Sequence, residues 1–344
     1  MKINMKIVGV SALALALCGC GGGNAEYSPK VADGAALVLG FNQQQIDKVQ
    51  ERLLGEKAKE VSSSVMKNLP EDVANTLKKA GLDDTKARWG VLSIGEPKLE
   101  KDMDLKEVPE VMVAISIDVD IEKAVAAFRE QLKKEEGTEI KDANVAGMKA
   151  WTVSSKDLEK QKASPSFTAL DGKLFLAAST TAALEKLVLI YREGKGQSFS
   201  LPADSLARLV LTDIGARVKK IVPNPEDTLK IVSQFVPNGD KMVFGLGTLD
   251  FSATSAKEGG VALKLTLKTA SEKDADQLRT LAKTGLMPLT VQMKKSAKKD
   301  PDSKMSAELL DALKIAGTDG MFEASLLVPE SMLKALAEKK LKEL

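Results

Sequence analysis

The sequence predicts an α+β protein made of two related halves, each an antiparallel sheet backed by helices. Three observations predict it. Segments of strand character alternate with segments whose apolar residues recur at helical spacing, from residue 36 to residue 341. The order of those segments is comparable in residues 31–195 and 200–341, and each half contains a Pro-Glu-Asp helix start, Pro70-Glu71-Asp72 and Pro225-Glu226-Asp227. The chain is 44% hydrophobic, and both of its cysteines, Cys18 and Cys20, lie near the N-terminus. An apolar core, not disulfides, must therefore hold the body together.

In the first half, residues 36–41 read as a buried strand, and Ile46, Val49, Leu53 and Leu54 follow at helical spacing. A second helix opens at Pro70, where proline suits the first helical position and Glu71 and Asp72 meet the positive end of the dipole. It carries Val73 and Leu77 and stops at Gly81. Residues 89–94 and 111–117 are strands, and Ile121, Val125, Phe128 and Leu132 mark the next helix. Residues 148–153, 166–170 and 173–178 are strands, the last two joined by Asp171-Gly172, a pair suited to a tight hairpin turn. Residues 180–191 form the closing helix.

In the second half, residues 206–211 predict a strand, although their apolar spacing also permits a helix, and Asn224-Pro225-Glu226-Asp227 opens a helix carrying Leu229, Ile231, Val232 and Phe235. Residues 242–251 and 261–267 are strands separated by Gly259-Gly260. Ser271 caps a helix with Ala275, Leu278 and Leu281 on its face and Asp274 at the capping-box position, and Lys283-Thr284-Gly285 supplies its basic end and glycine stop. Residues 294–304 read as a charged, solvated loop, 309–315 as a short helix, 322–328 as a strand and 331–341 as the terminal helix. Each half thus begins strand, helix, strand, strand, helix and later adds a strand, the ferredoxin-like β-α-β-β-α-β order. The layout loosely resembles uncharacterised duplicated bacterial surface proteins, a likeness that implies no particular chemistry.

At the N-terminus, Lys2 and Lys6 precede an uncharged apolar run over residues 7–17. That run is shorter than the roughly 20 residues a membrane-spanning helix needs and suits the core of a secretory signal. Leu17, Gly19 and Cys20 then stand in the spacing that resembles the lipobox of bacterial lipoproteins, with a leucine three before the modified cysteine and a small residue just before it. Cys18 is the poorer acceptor, because the bulky Leu17 precedes it. The resemblance implies that residues 1–19 are a signal peptide and that Cys20 is the site of lipidation, with a diacylglyceryl thioether on its sulfur and acylation of the new amino group. Two or more acyl chains give stable membrane anchoring. Residues 20–30, with Gly21, Gly22 and Gly23, read as the anchor and a flexible tether. The alternative is a conventional signal cut at Ala12-Leu13-Ala14 or Ala14-Leu15-Ala16. Gly21, not aspartate, follows Cys20, and the sorting rule of enterobacterial lipoproteins then implies the outer membrane facing the periplasm rather than the inner membrane.

Composition removes several function classes. Loss of residues 1–19 takes away Lys2 and Lys6 and leaves acidic and basic residues equal in number, which is no footprint for nucleic acid. There is no histidine, so Ser-His-Asp and Cys-His catalysis are excluded and the common zinc sites lack their ligands. Aromatics are 4%, with Trp89 and Trp151 the two tryptophans, which argues against a glycan-stacking face. No cofactor is expected. Ser64-Val65-Met66-Lys67 and Lys283-Thr284-Gly285 match elements of the penicillin-binding proteins and β-lactamases, but no Ser-x-Asn lies between them and further Ser-x-x-Lys matches occur at Ser296 and Ser331. Gly245-Leu246-Gly247 lacks the third glycine of a dinucleotide fingerprint.

The remaining chemical candidate is Asp118-Val119-Asp120-Ile121-Glu122, where Asp118, Asp120 and Glu122 form either an acidic site or the cap of the following helix. The expected function is therefore a non-enzymatic, membrane-anchored binding or scaffold lipoprotein of the cell envelope. Its partners are the membrane through Cys20 and an envelope protein or apolar ligand. A carrier of an apolar ligand such as lipid and a carboxylate-dependent enzyme are the alternatives.

Overall fold

The computed structural model describes residues 27–58, 87–97, 108–117, 120–132, 137–222, 239–257, 259–297 and 300–343, with positions 75, 78, 79, 224, 225, 227, 230 and 233. Cys18, Cys20, Ser64, Pro70-Glu71-Asp72, Asp118 and Glu226 lie outside the described residues. The fold is α+β, and the chain divides into two compact units, one reaching to Ala203 and the other covering Asp204–Glu343.

The first unit contains β1 (Lys30–Val31), β2 (Leu37–Asn42), α1 (Gln43–Leu54), β3 (Trp89–Ile94), β4 (Val111–Ser116), α2 (Ile121–Leu132), β5 (Thr138–Val145), β6 (Met148–Ser155), α3 (Lys156–Lys160), β7 (Ser166–Leu170), β8 (Leu174–Ala178), α4 (Thr181–Arg192) and β9 (Gln197–Ser198). Its strands lie in the order β2-β3-β4-β8-β7-β6-β5, each pair antiparallel. Every residue of β8 is buried, as are the residues of β4 after its first. Both faces of the sheet are therefore covered. Val113, Ile115, Phe175 and Ala177 on one face form a core with Ala124 and Val125 of α2 and with Trp151 and Phe167. The alternate positions, Leu174 and Leu176 among them, are buried with Leu184, Leu187 and Val188 of α4. Asn42, Ser155 and Thr180 cap α1, α3 and α4 by accepting backbone N–H bonds from Gln45, Leu158 and Ala183.

The second unit contains β10 (Ser205–Leu211), α5 (Ile214–Ile221), α6 (Gly239–Phe244), β11 (Leu249–Ser255), β12 (Val261–Lys268), α7 (Glu272–Ser296), α8 (Pro301–Ala312), β13 (Lys314–Ala316), β14 (Met321–Val328) and α9 (Glu330–Glu343). Its strand order is β10-β11-β12-β14-β13, again antiparallel throughout. That order is the order β2-β3-β4-β8-β7 of the first unit, with α1, α2 and α4 answered by α5, α7 and α9. Among the described elements, the first unit adds β1, β9, the β5-β6 hairpin and α3, and the second adds α6 and α8.

The ferredoxin-like arrangement is corrected in part. Its first helical connection should join parallel strands with a third between them, whereas β2 and β3 are antiparallel neighbours, Asn42 opposite Trp89. The connection brings the chain back to the end of β2 at which it left, so that Trp89 faces Asn42, a pairing that local periodicity does not specify. Asn75, Lys78 and Lys79 are helical, as the predicted second helix requires. The later crossover does have the split form, since β14 lies between the parallel strands β12 and β13, and β8 between β4 and β7.

Other local expectations are also revised. Residues 242–251 are not one strand: α6 ends at Phe244 and β11 begins at Leu249, with Gly245 and Gly247 in the connection. Lys283-Thr284-Gly285 does not stop the helix, which runs to Ser296 with Pro288 inside it, and of the expected loop 294–304, residues 294–296 belong to α7 and 301–304 to α8. Packing between α7 and α8 supplies what local propensity lacks, since a glycine and a proline weaken a lone helix. The short helix at 309–315 is the end of α8 followed by β13. Residues 27–31 are not free tether, as described next.

Candidate functional site

Asp171 and Gly172 have φ of 52° and 67°, and Lys173 N donates to Leu170 O at 3.0 Å, the tight turn expected of this pair. The turn matters because Tyr27 reaches it: the Tyr27 hydroxyl donates to Asp171 Oδ2 at 2.5 Å. Tyr27 O accepts from the Trp89 indole Nε1 at 3.1 Å. Lys30 N donates to the Tyr191 hydroxyl at 3.0 Å, and that hydroxyl donates to Lys30 O at 3.1 Å. Trp89 stacks on Tyr191 with centroids 6.4 Å apart, and Tyr27 meets Tyr191 edge-on at 6.3 Å. β1 then pairs with β9, Lys30 opposite Ser198 and Val31 opposite Gln197. Both tyrosines and one of the two tryptophans are thus used to clasp the segment that leads from the N-terminus onto the first unit. Burial pushes the Tyr191 phenol well above the ordinary tyrosine value, against the lowering effect of the Lys30 backbone bond. Sequence reasoning missed this clasp because its members come from β3, α4 and the N-terminal segment, Lys30 and Tyr191 alone being 161 positions apart.

The acidic candidates do not converge. Asp118 lies outside the described residues. Asp120 Oδ1 accepts from Lys123 N at 3.1 Å and its carbonyl accepts from Ala124 N at 3.0 Å, so Asp120 caps α2. Glu122 Oε1 pairs with Lys149 Nζ at 2.7 Å, both side chains more than half exposed. Lys149 Nζ in turn sits 5.3 Å from the centroid of the Trp151 ring. Among the described residues, no group of three or more Asp, Glu, Cys or His could hold a metal ion.

The largest contrast between the units is the covering of their sheets. Alternation along β11, β12 and β14 puts Phe251, Leu263, Leu265, Leu267, Phe322 and Leu326 on one face, Phe251 opposite Leu265 and Leu267 opposite Phe322. No residue of β11 or β12 is buried, and in β14 only Val328 is. The opposite face is polar. Arg208 holds Asp250 through Nε at 3.1 Å to each carboxylate oxygen and through Nη2 at 2.5 Å, and Asp250 raises the guanidinium above its ordinary value. Lys264 pairs with Glu323 at 2.8 Å. The second unit is therefore a sheet with one apolar face whose residues are only half-buried, whereas the same topology in the first unit encloses a fully buried core. The apolar alternation is legible in the sequence; its exposure is not.

Comparison of the chain with protein-family models, with curated proteins and with solved structures finds no match.

Proposed function

We propose that the protein is a lipid-anchored, non-enzymatic binding protein of the bacterial cell envelope, held through Cys20 on the periplasmic face of the outer membrane and taking an apolar partner on its second unit. The observation that carries the binding reading is the apolar face of β11, β12 and β14, whose residues are only half-buried. A sheet face of leucine and phenylalanine kept partly open suits an apolar ligand such as lipid, and an envelope protein presenting an apolar surface is the other partner class. The use of Asp120 as a helix cap weighs against the carboxylate-dependent enzyme. The clasp at Tyr27 suits an anchored protein, because it passes any pull on the N-terminus directly to the first unit.

A pull-down from detergent-solubilised envelope, with lipid and protein analysis of the bound fraction, tests the binding reading. The expected result is a stoichiometric lipid in addition to the covalent acyl chains, lost in Leu265→Gln at unchanged thermal stability. A wild-type fraction with neither lipid nor protein partner would overturn it. The anchor is tested separately by intact mass: Cys20→Ala should release the protein from membranes or leave it uncleaved, and a mature N-terminus without acyl mass would refute lipidation.

A further inference from the structure

The distal half of α7 carries a surface that the binding reading does not use. Beyond Leu281 this helix is half-buried along a single stripe, Ala282, Leu286, Thr290, Met293 and Ala297, the spacing of one face packed on a neighbour. The adjoining face is open. Met287 is 70% exposed and Val291 53%, one turn apart, the largest exposures among the large apolar residues described. Lys283 lies one turn before Met287, and Lys294 and Lys295 lie one turn after Val291, all exposed. From Thr280 to Ser296 the sequence has three lysines and no carboxylate, in a chain whose charges otherwise nearly balance. Lys294 also pairs with Asp311 at 2.7 Å, but both side chains are about half exposed, which makes the pair weak and exchangeable.

We infer that this face of α7 docks on the surface of an anionic phospholipid bilayer, Met287 and Val291 entering the headgroup boundary while Lys283, Lys294 and Lys295 meet phosphates. Charge complementarity chooses the occupant: an apolar pair flanked at both ends of its helix face by ammonium groups matches an interface that is apolar below and anionic above. The apolar area is too small to choose a second copy of the chain, since a stable protein interface buries more than about 1,000 Å². The contact does not depend on acylation of Cys20. It would act as a second, weaker attachment beside the anchor.

The test uses the full chain with Cys18→Ala and Cys20→Ala, labelled with an environment-sensitive fluorophore at Thr284→Cys on the open face or, as a control, at Lys273→Cys in the first turn of the same helix. Vesicles of phosphatidylglycerol and phosphatidylcholine should blue-shift the label at position 284, high salt should reverse the shift, and the label at position 273 should not respond. Lys294→Glu with Lys295→Glu should weaken the response at least about tenfold, each lysine near an anionic surface being worth about fivefold. An equal response on pure phosphatidylcholine, a response unchanged by the charge reversals, or no response at position 284 would each overturn the inference. So would a shift that grows with protein concentration in the absence of vesicles, which would mark self-association instead.

Discussion

Tyr191 shows how one side chain can carry an attachment. Its hydroxyl both accepts from and donates to the backbone of Lys30, and its ring lies between Trp89 and Tyr27. Tyr191→Phe keeps the ring but leaves the Lys30 peptide groups without that partner, a loss expected to cost about 1 to 3 kcal/mol. Protease sensitivity around residues 27–33 should rise in step. The pH dependence has a definite sign. The folded state holds the Tyr191 phenol protonated above the ordinary tyrosine value, so its contribution is complete below about pH 10, the unfolded value, and is lost as pH rises beyond it. In a Tyr27→Phe background, tyrosinate absorbance should appear only together with unfolding; a titration near pH 10 in the folded protein would contradict the burial. Asp120 gives a second prediction. Asp120→Ala removes the cap of α2 and should cost about 1 kcal/mol in urea denaturation, while Asp120→Asn, which caps as well, should cost only a few tenths. Equal losses in the two variants would mean that the carboxylate charge, not the cap, matters.

Two glycines in regular structure make opposite predictions for the same substitution. Gly90 in β3 faces Phe41 across the β2-β3 pair, and the Phe41 ring occupies the space a Cβ would take. Phe199 covers Gly40 in the same way. Gly90→Ala must displace an aromatic ring and should cost about 1 to 3 kcal/mol. Gly285 lies inside α7, and a Cβ there would meet nothing within 4 Å. Gly285→Ala should therefore stabilise by about 0.5 to 1 kcal/mol through helix propensity alone. Thermal melts of the two variants against wild type check both signs. Destabilisation by Gly285→Ala would mean that α7 does not run unbroken past that point.

For the molecule as a whole, two units of one topology differ in how much core they enclose. Buried side chains of the first unit include Trp151, Ile115, Leu174, Leu176, Leu184 and Val188, each at 1% exposure or less, whereas the second buries Leu206, Met242, Ala275, Ala307, Val328 and Met332. Local opening is easier where fewer apolar contacts must be broken. Amide exchange should therefore be slowest in β4 and β8 and faster in β11 and β12, the strands that correspond to β3 and β4. Equal protection of β12 and β4 by exchange mass spectrometry would refute the difference. The clasp also bounds the proposed tether. With Tyr27 held, the chain between Cys20 and Tyr27 spans at most roughly 25 Å when fully extended. An acylated protein would then hold the end of the first unit bearing Trp89 and Asp171 close to its membrane.

The apolar run of 111–117, the helical spacing of Ile121, Val125 and Phe128, the Asp171-Gly172 turn and the Ser271 cap are legible in the sequence because each depends on neighbours within a few positions. The α+β class follows from those same local periods. Pairing does not: whether β2 meets β3 parallel or antiparallel depends on the path of the chain between them, which no local period specifies. The end of α7 was misread because Gly285 and Pro288 are local stop signals, while the packing that overrides them comes from α8. The clasp and the open face lie further out of reach. Tyr27, Trp89 and Tyr191 carry no shared local pattern, and the leucines of β12 look the same in sequence whether or not helices cover them. Periodicity tells which side of an element is apolar; only the tertiary structure decides what, if anything, is packed against it, because burial is set by chain segments distant in sequence.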